Sequence, residues 1–225
     1  MRELRFTAAE IAETLGMAHS TVSAVLKRCG KGRLPRSDGD EPERRYERAW
    51  PGELVHVDVK KLGRVAGVGH RITGQRRVGG GDQRGPGWEF VHVCVDDCTR
   101  LAYVELLDSE RREAVCAFLE RAVAWFAGHG IRVERVMTDN GPGYRSRAHA
   151  AVCQRLGLRH LRTEPYRPRT NGKAERFIKT LTLRWAYGGV YATNRQRRAA
   201  LPGFLDHYNY RRPHRALDRQ APIQA

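Results

Sequence analysis

The chain has 225 residues, 40% of them hydrophobic, and its 41 Lys and Arg outweigh 25 Asp and Glu to give a formal net charge of +16. That length suits one full domain with a small extra one, the apolar content can build a core, and the charge excess points to a polyanionic partner. No apolar run is long enough to span a bilayer, the N-terminus lacks the apolar stretch of a signal peptide, and the five Cys (29, 94, 98, 116, 153) show no CxxC pair. A membrane protein, a secreted disulfide scaffold and a zinc finger are therefore set aside in favour of a cytoplasmic, nucleoid-associated protein with free thiols.

Lysine occurs only at 27, 31, 60, 61, 173 and 179, so nearly all the basic residues are Arg. Arg makes forked contacts to phosphate. A GC-rich genome explains part of that ratio but not the net sign.

Residues 7–28, "TAAEIAETLGMAHSTVSAVLKR", read as two short helices. Thr7 with Glu10 forms a capping box, and Gly16 can end the first helix in a left-handed conformation. Ile11, Ala12 and Leu15 form one apolar stripe, and Val22, Val25 and Leu26 another. A small residue at the crossing and a glycine in the turn resemble a helix-turn-helix, with Ser20, Thr21 and Lys27 free to meet DNA; an ordinary helical hairpin is the plainer alternative. Residues 33–49 are polar and aperiodic, the texture of a linker. The expected division is a DNA-binding region at 1–32, a linker at 33–49 and a core at 50–225.

In the core, "ELVHVDV" (53–59), "WEFVHVCVDD" (88–97) and "LAYVELL" (101–107) read as three strands of an antiparallel meander, with a Gly- and Arg-rich hairpin loop at 63–87. The period then switches: helix 109–130, strand "RVERVMTD" (132–139), helix 146–157, strand 158–163, a Pro-rich loop, helix 173–187 and a last helical stretch over about 194–210. This predicts an α/β fold with a mixed five-stranded sheet flanked by helices.

Three carboxylates lie on separate elements. Asp58 falls near the end of strand one, Asp139 at the end of strand four, and Glu175 in the first turns of the helix after strand five. In an α/β layer, sites form at strand ends where the chain changes direction. "DNG" at 139–141 is also a turn former, so Asp139 is expected to serve both as turn residue and as ligand. Clustered carboxylates repel, and a hard divalent cation, Mg²⁺ or Mn²⁺, resolves that repulsion; two ions would clamp the attacking and leaving oxygens of a phosphodiester displacement. Other acids read as structural: Asp96 and Asp97 in a turn, Asp108 as a helix cap, Glu53 at a strand start, and Glu164 without a helical platform. His56 shares a strand face with Asp58 and is expected to pack or support rather than ligate. His92, Cys94 and Cys98 are set aside as a metal site because Cys94 lies inside an apolar strand.

Asp58, Asp139 in "TDNG" and Glu175 in "NGKAERFIKTL", with 35 residues between the last two, together with "YNYRRPHRAL" at 208–217, resemble the retroviral-integrase-like DDE transposases of bacterial insertion sequences. The resemblance implies an RNase H-like core, 3′-end cleavage of DNA and strand transfer, with two divalent ions per site, and a homo-oligomer acting on transposon ends and target. Residues expected to meet DNA around the triad are Lys61, Asn140, Arg167, Arg169, Asn171, Lys173, Arg176 and Lys179, with Lys179 as a phosphate clamp; Tyr166 reads either as a base stacker or as a loop residue packed on its neighbours. The rival readings are a noncatalytic DNA-binding regulator and an RNase H-like nuclease. Because transposases of this resemblance commonly carry two helix-turn-helix units, the single unit here is expected to mark a truncated copy with poor site selection.

Overall fold

The computed structural model describes residues 1, 6–33, 47–68, 74, 87–163 and 171–225. The expected linker between 34 and 46, most of the 63–87 loop, and Glu164, Tyr166, Arg167 and Arg169 lie outside the described residues. The chain divides into two compact units, Met1–Tyr46 and Glu47–Ala225. Residues 47–49, expected as linker, belong to the second: the Arg48 N–H donates to Asp97 Oδ2 at 2.8 Å and the Ala49 N–H to Glu53 Oε2 at 3.1 Å.

The first unit holds α1 (Ala8–Leu15) and α2 (His19–Arg28). The Thr7–Glu10 capping box forms in both directions, and Gly16 adopts φ 61° while its N–H reaches back into the helix. Ile11, Ala12 and Val22 make the core of the pair, with Ala8 and Leu26 against it. Leu15 and Val25, expected in the stripes, are instead 54% and 39% exposed. Two helices this short cover only one face each, and Val25 lies off the Val22–Leu26 line, which is spaced i, i+4.

The second unit is built on a mixed five-stranded sheet, as expected, and its strand order is β3-β2-β1-β4-β5. Its strands are β1 (Val55–Gly63), β2 (Trp88–Asp96), β3 (Ala102–Leu107), β4 (Arg135–Thr138) and β5 (Arg159–Arg162). β1–β2 and β2–β3 pair antiparallel, whereas β1–β4 and β4–β5 pair parallel. β1 runs four residues past the expected end at 59, because Lys60 and Leu62 continue the even-numbered face and Leu62 is buried. Asp58 therefore lies mid-strand, opposite Val93, rather than near a strand end.

Helices cover both faces. The odd residues of β1, Val55 and Val57, pack with α3 (Arg112–Gly128) and α4 (Arg147–Arg155) through Phe118, Leu119, Phe126, Val152 and their neighbours. The other face, with Leu62 and Val91, Val93 and Val95 of β2, packs with α5 (Gly172–Leu181) and α6 (Asn194–Asp206) through Phe177, Leu181, Trp185 and Leu201. α3 starts at Arg112, later than expected. Asp108 does not cap it: it pairs with Arg64 at 2.6 Å and with Arg198 at 3.4 Å, and the Ser109 hydroxyl accepts from the Arg111 N–H. α5 and α6 each continue into a wider π-type turn, Thr182–Ala186 and His207–Arg211.

The "YNYRRPHRAL" segment is a fastening. Asn209 exchanges two hydrogen bonds with the Ala102 backbone, at 3.0 and 2.8 Å, and the buried Tyr208 ring meets Phe177 edge-on at 4.8 Å. This holds α5, and hence Glu175, against the sheet. A buried ion pair seals the hairpin base: Arg197 bonds Glu89 at 3.1 Å and the Gly63 carbonyl at 2.9 Å.

Candidate active site

β1 and β4 pair in parallel with His56 beside Met137. Continuing that register by two residues sets Asp58 beside Asp139, on neighbouring strands spaced about 4.8 Å apart. Asp139 follows β4 directly, and its Oδ1 accepts the Gly141 N–H at 2.8 Å, so the turn aims the carboxylate. A Cβ at Gly141 would come within 2.9 Å of Asp139 Oδ1, so a larger residue there would push the carboxylate aside. Glu175 sits in the first turn of α5 and projects from its exposed side, while Ala174 and Phe177 bury the other.

Asp58 and Glu175 line one open cavity of about 500 Å³ with Lys60, Ile178, Lys179 and Leu183. Burial pushes the Asp58 carboxyl up to about 6; the Val59 N–H opposes this, and the charges of Asp139 and Glu175 add to it. The charges of Asp139 and Glu175 thus both reach Asp58. Beside them, the Tyr144 hydroxyl is buried without a hydrogen-bond partner among the described residues, and its pKa is raised by burial and by the Asp58 and Asp139 charges. The buried Thr182 hydroxyl, which also lines the cavity, lacks a partner in the same way. An all-oxygen donor set whose charges repel, with the unpaired Thr182 hydroxyl in the same cavity, fits hard divalent cations and their bound water.

Behind the carboxylates runs a buried hydrogen-bond chain. His56 and Asp97 have no exposed surface and Asn171 is 3% exposed. Asn171 Nδ2 donates to the Val57 carbonyl at 3.2 Å, and its Oδ1 meets His56 Nδ1 at 3.1 Å; His56 Nε2 meets Asp97 Oδ1 at 2.9 Å. Both ring nitrogens thus face acceptors. Burial alone would raise the Asp97 carboxyl, but the bonds from His56 and the Arg48 N–H, with the Lys173 charge, leave it below its ordinary value. Asp96 is equally structural, accepting from the Gly52 N–H at 2.8 Å and the Thr99 N–H at 2.7 Å.

The expected DNA contacts separate into groups. Lys179 shares the cavity with Glu175, and Lys60, which was not anticipated, shares the strand face of Asp58. The period of two from Asp58 would have found it. Lys61 lies on the opposite face, its ammonium 4.6 Å over the Trp88 ring. Asn171 turns inward, as above. Lys173 leans away from the cavity, 3.8 Å from Asp97 and 3.6 Å from Glu47. Asn140 spends its amide on the Thr163 carbonyl at 2.8 Å, clamping the Asp139 turn to the end of β5. Arg176 follows Glu175 on an exposed part of α5, where its charge acts on Tyr208. Ser20, Thr21 and Lys27 are exposed on α2.

A family model described as "Integrase core domain" matches residues 48–168, more than half the chain, and a second model of the same description matches 156–222. The chain belongs to the integrase core domain family. It is 32% identical over 148 residues to an uncharacterized 39.2 kDa insertion-element protein of Xanthomonas euvesicatoria, covering 60% of this chain and 42% of that protein. It is 35% identical over 136 residues to an uncharacterized protein of Caenorhabditis elegans, covering 60% of this chain and 10% of the relative. The chain thus spans less than half the length of these relatives. Among solved structures it is similar to a chain of the simian T-cell lymphotropic virus intasome, with TM-score 0.62 and 19% identity over 97% of this chain and 73% of that one. It is also similar to the HTLV-2 integrase catalytic core in complex with magnesium, with TM-score 0.53 and 16% identity over 77% and 95% of the two chains. The sheet with its helices is the RNase H-like fold. Among the described residues no helix is long and apolar enough to cross a membrane.

Proposed function

We propose that the chain is a DDE transposase that cleaves DNA to free a 3′ end and joins that end to a target strand. The observation that carries the reading is the convergence of Asp58, Asp139 and Glu175 on one side of an integrase-family sheet, close enough for two of them to raise the third's pKa. These carboxylates would hold Mg²⁺ or Mn²⁺. A pair of such ions held by Asp58, Asp139 and Glu175 would supply activation of the attacking oxygen and charge stabilisation of the departing one.

The chain's own residues do the rest. The Asx turn at Asp139 and the His56–Asn171 brace fix the carboxylates before DNA arrives, so no reorganisation is needed at the reacting phosphate. Lys60 and Lys179 flank the cavity with positive charge, suited to the phosphates on either side of the scissile bond. α2 presents Ser20, Thr21 and Lys27 to duplex DNA as a helix-turn-helix would. A homo-oligomer on paired DNA ends belongs to the same proposal.

The test is incubation with duplex DNA and Mg²⁺, followed by sequencing of joined products. Joined products are expected from the wild-type chain. Asp58→Asn, Asp139→Asn and Glu175→Gln should each abolish cleavage, without additivity, because each disrupts the same site. DNA binding without nicking would favour a noncatalytic regulator, and nicking without joining a nuclease.

A further inference from the structure

On the far side of the Asp139 turn, α4 and β5 bring together His149, Cys153 and His160, with one ligand-capable atom of each within 4.8 Å of the others. His149 and Cys153 are 1% and 3% exposed, and His160 is half-buried. We propose that this trio is a second metal site, for a single Zn²⁺-class ion, separate in place and chemistry from the carboxylate site.

Four observations carry it. First, His149 and Cys153 are spaced i, i+4 on one helix face, and Cys153 Sγ lies 3.6 Å from His149 Nδ1. A nitrogen and a sulfur on one tetrahedral zinc, at about 2.0 and 2.3 Å from the metal, stand about 3.5 Å apart. Second, the Thr138 hydroxyl donates to the Asp139 carbonyl at 2.9 Å, so at its 2.8 Å contact with His160 Nε2 it accepts. That places the His160 proton on Nε2 and leaves Nδ1 as the lone-pair nitrogen. A ligating imidazole ordinarily has its other N–H held by an oxygen in this way. Third, the His149 and His160 rings lie with their centroids 4.6 Å apart, so α4 and β5 bring two imidazoles to the same place beside Cys153. Fourth, thiolate with imidazoles is a soft-to-borderline donor set, which selects zinc over the magnesium that suits carboxylates.

The half-exposed His160 supplies the entry side. Three protein ligands leave the fourth tetrahedral position to solvent. The ion would tie α4 to β5 and, through His160 and Thr138, to the backbone of Asp139. It would also touch the floor of the catalytic turn through His149, whose ring meets Tyr144 edge-on at 5.4 Å. Its role is to brace that turn.

The test uses the full chain, reduced and stripped of metal, titrated with Co²⁺ and then Zn²⁺. One equivalent of Co²⁺ should produce a thiolate-to-cobalt charge-transfer band that Zn²⁺ removes and excess Mg²⁺ does not. Cys153→Ser and His149→Ala should lose the band, and Thr138→Val should weaken binding about tenfold or more by freeing the His160 ring. The Asp58→Asn/Glu175→Gln double variant should keep it, which separates this site from the proposed catalytic one. No thiolate band in the wild-type chain overturns the proposal whatever the variants do. A band that survives Cys153→Ser, or is lost in Cys116→Ser instead, overturns the assignment of ligands.

Discussion

His56 Nδ1 and Asn171 Oδ1 meet at 3.1 Å in the interior, across 115 residues of sequence, and so join the strand of Asp58 to the helix start of Glu175. Each partner is two or four residues from a carboxylate of the site. Their contact sets the spacing of those carboxylates, as second-layer hydrogen bonds do for metal ligands generally. Asn171→Ala should therefore raise the Mg²⁺ concentration needed for cleavage by about 10–100-fold. DNA affinity without Mg²⁺ should stay near wild type, because Asn171 does not face the cavity. A Mg²⁺ titration of cleavage beside a binding isotherm separates these. Weaker DNA binding with an unchanged Mg²⁺ requirement would instead make Asn171 a DNA contact.

The lysines give a second contrast. Lys60 and Lys179 flank the site, whereas Lys61 sits over Trp88 on the other face of β1. Lys60→Glu and Lys179→Glu should each weaken DNA binding and flatten the dependence of log affinity on log salt by about one unit, the signature of one lost phosphate contact. Lys61→Glu should leave the slope alone. Equal slopes for all three would mean that the face of the strand does not decide which lysine meets DNA.

The sequence carried the order of elements and the mixed sheet, because the period changes at residue 109 and the strands alternate cleanly. It also placed the three carboxylates on separate elements that the fold brings to one side. It did not reveal that β1 continues through Lys60 and Lys61, since two charges mask the alternation. Nor did it reveal that Asn171 turns inward: polar type suggests exposure, and only the tertiary position of His56 buries it. Asp97 was legible as a turn residue but not as the anchor of His56, which depends on the β1–β2 register. His149, Cys153 and His160 escaped notice because their ligand spacing runs through a helix, a turn and a strand rather than a compact motif.

Glu89 is fully buried and faces two guanidinium groups, Arg197 at 3.1 Å and Arg198. Arg197 is itself 1% exposed, so removing the carboxylate strands a buried charge. Breaking such a pair costs about 3–5 kcal/mol, far more than a surface ion pair. Glu89→Ala should lose stability on that order in urea unfolding, and Glu89→Leu combined with Arg197→Met should recover a large part of it. A loss in Glu89→Ala below about 1 kcal/mol, the range of an exposed pair, would count against a buried bridge.

Asp58 ties the proposed function to a cost in stability. In the folded chain its pKa is pushed from 3.8 up to about 6, by burial and then by Asp139 and Glu175. The folded state holds the proton more tightly than the unfolded state does. The stabilisation from that proton is complete below about pH 4 and lost as the pH rises through about 6, so at neutral pH the metal-free fold carries an uncompensated charge. Asp58→Asn removes it. In chelator, the variant should melt a few degrees above wild type at pH 7.5, equivalent to about 1–2 kcal/mol after allowance for partial exposure, and at the same temperature as wild type at pH 4. Adding Mg²⁺ should raise the wild-type melting temperature and leave the variant unmoved, because only the intact carboxylate set gains from the cation. Thermal melts at the two pH values, with and without Mg²⁺, decide the matter. The same gap at pH 4 and pH 7.5 would mean that Asp58 is not the strained charge of the fold.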